Sequence, residues 1–141
     1  MSQENVESVQ AVYARWSKGD LRATLDVADP LILFVQPQSI TFEAGAIMGI
    51  EELIDYMRRH LESWSEMTIE AEDITDTGNG TIMATVSQHA VGRESGAETD
   101  LRYYQLWSFR GGKVIRLENF RERAEALDAA GLSEQDAHAD S

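Results

Sequence analysis

The chain has 141 residues, 43% of them hydrophobic, a size and composition that suit one soluble domain around a single core. Its 25 acidic and 12 basic side chains give a formal net charge of −13. That surface repels phosphate backbones and anionic lipid, which excludes nucleic acid and membrane as partners, and the absence of cysteine excludes disulfides and thiolate metal sites.

The opening MSQENVESVQ carries neither a basic region nor an apolar stretch of the secretory kind, and no apolar run is long enough to span a bilayer. A cytoplasmic protein is therefore expected. Glu4 to Lys18 reads as an amphipathic helix, because Val6, Val9, Val12, Tyr13 and Trp16 recur at three- and four-residue spacing. Gly19 is its stop, and Asp20 the N-cap of a short second helix carrying Leu21, Leu25 and Ala28. That helix should end before Asp29-Pro30, since a residue preceding proline avoids α geometry.

Leu31 to Gln36 reads as a buried strand closed by Pro37, and Ile40 to Met48 as a second strand of open register. Gly49 opens a third helix, with Glu51 and Glu52 at the positive end of its dipole and a stripe of Leu53, Ile54, Met57, Leu61 and Trp64. Met67, Ile69 and Ala71 alternate with polar residues and mark a half-buried strand. A turn cluster at 76–80, a strand from Thr81 to Val91 and a polar loop from Gly92 to Glu98 follow. The hairpin LRYYQLWSFR-GG-KVIRLENF organises the rest: two alternating runs meet at Gly111-Gly112, which accepts the positive φ that tight hairpins demand. A last helix, Ala124 to Ala130, stops at Gly131. The expected organisation is one domain over 1–132, with a polar, disordered tail over 133–141. Helices followed by long antiparallel strands give an α+β fold, with three helices on one face of a strongly curved sheet.

The order and spacing of ENVESVQAVYARWSKGDL, the strand ending at Pro37, the helix opened by Gly49, and YYQLWSFRGGKVIRLENF with AEALDAAGL resemble the SnoaL-like branch of the NTF2-like superfamily. The resemblance runs from about Glu4 to Leu132 and implies a cone with a cavity between helices and sheet. It also implies where catalysis would sit. Members similar to ketosteroid isomerase carry a carboxylate base just before the proline of the first strand, which here is Gln36. Their protonated acid, two residues before an aromatic, falls on Gln105 before Trp107, and their first-helix tyrosine falls near Val12, one residue from Tyr13. The final-strand positions used by SnoaL-type cyclases look like Leu117 and Asn119. Amides do not shuttle protons near neutrality, so isomerase chemistry of that kind is not expected.

With Gln36 and Gln105 pointing inward, the two-residue period of a strand turns Phe34, Tyr103 and Trp107 inward too. Alignment adds Ala84, Val86 and Gln88, and the last strand Leu117 and Asn119. Trp16 and Met57, from the covering helices, complete the expected ligand pocket: apolar and aromatic walls with a few amides. In the competing reading those amides satisfy one another in a filled core. His60, His89 and His138 lack ligand spacing, so neither metal nor cofactor is expected.

Three functions follow. The first is a binder of a small, largely apolar neutral molecule. The second is a cyclase-, isomerase- or dehydratase-like enzyme using His89, Glu43 or Asp100. The third is a dimerisation module. The opposite sheet face, with Tyr104, Leu106 and Phe120 beside Arg116 and Glu118, is the expected homodimer surface.

Overall fold

The computed structural model describes residues 2–37 and 45–132. Expectations for the tail at 133–141, for Glu43 and for the first part of the Ile40 to Met48 strand lie outside the described residues.

Six strands form one curved, unclosed sheet in the order β2-β1-β6-β5-β4-β3. They are β1 (Ala28–Gln36), β2 (Gly45–Met48), β3 (Trp64–Gly78), β4 (Thr81–Gly92), β5 (Glu98–Arg110) and β6 (Lys113–Phe120). All neighbours run antiparallel except β1 and β6, which are parallel. The helices are α1 (Ser2–Trp16), α2 (Ile50–Glu62) and α3 (Arg123–Ala129), with a 3-10 helix at Leu21–Asp26. The architecture is the α+β arrangement anticipated from the sequence.

Helix α1 has no internal glycine or proline, and its Val9, Val12, Tyr13 and Trp16 are all buried on one stripe. Gly19 ends it in a left-handed conformation (φ +88°), its N–H bonding back to the Trp16 carbonyl. The next segment corrects the sequence reading. The 3-10 helix stops at Asp26, and Ala28 already belongs to β1. Pro30 sits inside that strand because its ladder with β6 shifts between Ala28 and Leu33, where the Asp29 carboxylate takes the Leu31 N–H at 2.9 Å. The missing proline N–H therefore costs no ladder bond.

Gly49 is the N-cap of α2 at φ +93°, as its place in the sequence suggests, but the helix ends at Glu62 and Trp64 begins β3 instead of extending the helical stripe. The β3–β4 and β5–β6 hairpins each turn on two positive-φ residues: Asn79-Gly80 (55° and 77°) and Gly111-Gly112 (58° and 79°). These turns match the right-handed twist of the strands and fix the register of β3–β4 and β5–β6.

The main core lies between the concave face and α1, α2 and the 3-10 helix. A second, smaller core lies on the convex face, where Ala126 and Leu127 of α3 cover Met83 and Leu106, flanked by Tyr104, Phe120 and Leu132. Thus Leu106, Tyr104 and Phe120, read from sequence as a dimer surface, pack against the chain's own C-terminal helix. Among the described residues no helix is long and apolar enough to cross a membrane.

Candidate functional site

Strand register builds the site. Ala84 of β4 faces Gln105 of β5, which faces Asn119 of β6; one row further on, Ile82, Trp107, Leu117 and Phe34 lie across four strands. Side chains two apart share a face, so the row of amides sits directly above a row of large apolar residues on the concave side.

Between this face and the helices is a cavity of about 90 Å³. It is lined by Trp16, Phe34, Gln36, Met57, Gln88, Tyr103, Gln105, Leu117 and Asn119, nine of the residues picked from the sequence. Val86 and Trp107 are not on its wall. They point to the concave side and are fully buried in the main core. The wall also contains Ile32, Met67 and Ile69, which strand alternation could have supplied, and Leu21, Thr24, Leu53, Tyr56, His60 and Leu61, which it could not. Most come from α2 and the 3-10 helix. The signal that could have found Tyr56 and His60 was their i, i+4 spacing, which placed a phenol and an imidazole on one face of α2.

Two hydrogen-bond chains hold the polar groups. In the first, the Trp107 indole N–H donates to the Tyr13 hydroxyl at 2.9 Å, and Tyr13 donates to Gln105 Oε1 at 2.5 Å. Tyr13 is thus the first-helix tyrosine that reaches the β5 position, not its neighbour Val12. Its ring also meets Trp16 and Trp107 edge-on at 5.3 and 5.7 Å. In the second, Asn119 Nδ2 donates to Gln36 Oε1 at 2.7 Å, and Gln36 Nε2 donates to the Tyr56 hydroxyl at 3.0 Å. Tyr103 separately donates to Gln88 Oε1 at 2.9 Å. Burial raises the pKa of Tyr13 well above its ordinary value and raises that of Tyr103 as well. Both phenols stay protonated and act as hydrogen-bonding groups. The Trp16 indole nitrogen and Asn119 Oδ1 are buried without a hydrogen-bond partner.

His60 brings an imidazole to the cavity wall, stacked on Tyr56 (ring centroids 5.4 Å apart, 12° between planes) and edge-on to Trp64 at 6.2 Å. His89, the histidine weighed from the sequence as a base, lies on the convex face. Its Nδ1 is 2.9 Å from Asp100 and its Nε2 3.5 Å from Glu98, beside an open groove of about 400 Å³ that also holds Glu70 and Arg102. The Asp100 hydrogen bond is the main cause that raises its pKa above 6.5, against a smaller desolvation effect and with help from the charges of Asp100, Glu98 and Glu66. His89 and Asp100 therefore sit away from the concave cavity. Among the described residues no cluster of three or more His, Asp or Glu could hold a metal ion.

The sequence matches the model of the SnoaL-like domain over residues 9–117. The chain belongs to the SnoaL-like family. Solved structures agree on the fold. An NTF2-like protein of unknown function from Burkholderia pseudomallei K96243 superposes with a TM-score of 0.73 at 20% identity, over 89% of this chain and 95% of the other. A candidate SnoaL-like polyketide cyclase from Jannaschia sp. CCS1 gives 0.70 at 17% identity, over 84% and 85%. A hypothetical protein of ketosteroid isomerase-like fold from Catenulispora acidiphila DSM 44928, in complex with trimethylamine, gives 0.69 at 13% identity, over 89% and 93%. No curated protein matches the chain.

Proposed function

We propose that this SnoaL-like protein binds a small, largely apolar, neutral molecule in the concave cavity. The observation that carries the reading is the make-up of the wall: aromatic and aliphatic side chains with Gln36, Gln88, Gln105 and Asn119, and among the described residues no Asp, Glu, Lys or Arg. An ion entering such a site would lose its hydration without a counter-charge, whereas a neutral molecule loses little. At about 90 Å³ the cavity is well below the roughly 300–1,000 Å³ of drug-sized sites, so the occupant is a compound of about six heavy atoms unless the walls move.

A panel of small neutral cyclic compounds, titrated into protein with labelled methionine methyls, tests this. Met57 and Met67 line the cavity, and saturable shifts of both methyls are expected. Met57→Trp, which fills the space from α2, should abolish the ligand-induced shift of the remaining Met67 methyl without unfolding the protein. If no compound perturbs either methyl, the binder reading fails.

A second reading has its own observation. His60 supplies the cavity with an imidazole, a group with both a hydrogen-bond donor and an acceptor nitrogen, and supports a cyclase-, isomerase- or dehydratase-like enzyme, as the neighbours of this fold suggest. Turnover that His60→Gln removes, while methyl shifts on ligand addition persist, would favour it over pure binding. Pairing of two copies across the convex face belongs to the same proposal, on whatever surface α3 leaves open. Sedimentation equilibrium distinguishes one copy from two.

A further inference from the structure

The Trp107–Tyr13–Gln105 chain fixes which atom Gln105 can turn toward a ligand. An indole N–H only donates, so in the Trp107–Tyr13 bond the tyrosine oxygen is the acceptor. Tyr13 then has one proton to give, and it goes to Gln105 at 2.5 Å, so the atom facing Tyr13 is the Gln105 oxygen. Gln105 is anchored by its carbonyl, and its amide N–H groups are what remain for the cavity it lines.

Asn119 stands directly opposite Gln105 in the β5–β6 ladder and is used the other way round. Its amide nitrogen donates to Gln36, and its oxygen is buried with no partner. Although the two amides are cross-strand neighbours, about 5 Å apart at Cα for such pairs, they do not satisfy each other. A donor from one strand thus stands beside an acceptor from the next. Trp16, packed on the Tyr13 ring, adds a second buried donor without a partner. A buried carbonyl or N–H left unpaired carries a desolvation cost that a matching ligand recovers.

We propose that the cavity recognises a neutral molecule carrying a hydrogen-bond acceptor and donor side by side, as on the edge of a lactam or primary amide. The ligand's carbonyl oxygen takes the Gln105 N–H, with the Trp16 indole N–H as a second donor, and its N–H is taken by Asn119 Oδ1. The proposal rests on the reading that the concave cavity binds a small molecule.

Three probes of equal heavy-atom count separate the two claims: 2-pyrrolidinone (acceptor and donor), cyclopentanone (acceptor only) and methylenecyclopentane (neither). Each is titrated into uniformly 15N-labelled, methionine-methyl-labelled protein. The lactam should bind roughly tenfold more tightly than the ketone, about one net hydrogen bond's worth, and move the Gln105 side-chain and Trp16 indole protons downfield. Asn119→Leu should erase the lactam's advantage while the ketone still binds; if that variant does not fold, the wild-type series still decides. Probes that shift the methionine methyls in order of apolar surface alone, with Gln105 and Trp16 protons unmoved, overturn this inference and leave the binder standing. Probes that shift nothing overturn both.

Discussion

On the concave face of the sheet, Gln36, Gln105 and Asn119 are buried and exchange hydrogen bonds with one another or with the phenols of Tyr13 and Tyr56. On the convex face the polar groups are ionisable and at least partly exposed: Arg102 meets Glu72 at 2.7 Å, Arg116 meets Glu118 at 2.7 Å, and His89 meets Asp100 at 2.9 Å. Strands β5 and β6 carry both sets, on alternate residues. The difference teaches where polar side chains do structural work in this protein. Exposed ion pairs contribute roughly 0–1 kcal/mol each because water and salt compete for them. A buried, neutral chain has no competitor, and removing one link strands its neighbours.

The largest effect should come from breaking the concave chain at its centre. Tyr13→Phe keeps the ring but leaves the Trp107 N–H and the Gln105 oxygen buried and unpaired. At roughly 1–3 kcal/mol per orphaned group, a loss of about 3 kcal/mol is expected in urea denaturation. A loss below about 1 kcal/mol would mean that the two groups find other partners.

Leu127→Ala tests the apolar part of the convex face. Leu127 is fully buried, but its cluster is small, so the cost should fall at the low end of the range for such truncations, about 2 kcal/mol. Hydrogen exchange should rise in α3 and stay unchanged in α1. Acceleration across both would show that the two cores unfold as one.

The smallest effect concerns His89. Its folded pKa lies above 6.5, so the folded state binds the proton more tightly than the unfolded chain. The stabilisation is therefore complete below pH 6.5 and fades as pH rises through the folded value. Asp100→Asn should bring the histidine's NMR titration midpoint back toward 6.5 and flatten that pH dependence, with little change in stability above it. An unmoved midpoint would show that the carboxylate is not its source.

Much of this molecule was legible in the chain because the relevant signals are local. Alternation along Leu101–Arg110 and Lys113–Phe120, with Gly111-Gly112 between them, specifies a hairpin and which residues share a face. Alternation sets Gln105 with Tyr103 and Trp107, and Asn119 with Leu117; that these faces are the inner ones is what the resemblance to the SnoaL-like branch implies. The match ended where an element's type depended on distant partners. Proline at 30 reads as a boundary, yet the strand passes through it because Asp29 and a shifted ladder absorb the missing N–H. Trp64 continues a helical stripe by spacing, yet it starts β3 because its backbone pairs with Gly92.

By itself, then, the sequence determined the α+β fold and the turns, which follow from periodicity and residue chemistry, while its resemblance to the SnoaL-like branch implied the family and the inward row of amides. Only the tertiary structure decided what those amides do. Whether an amide turns its oxygen or its nitrogen to the cavity depends on a partner many positions away, as Tyr13 orients Gln105 and Gln36 orients Asn119. The tertiary structure also brought His60 to the cavity wall, set His89 against Asp100 and folded α3 over Leu106. Each of these is a contact between segments far apart in the chain, and no local pattern encodes such a contact.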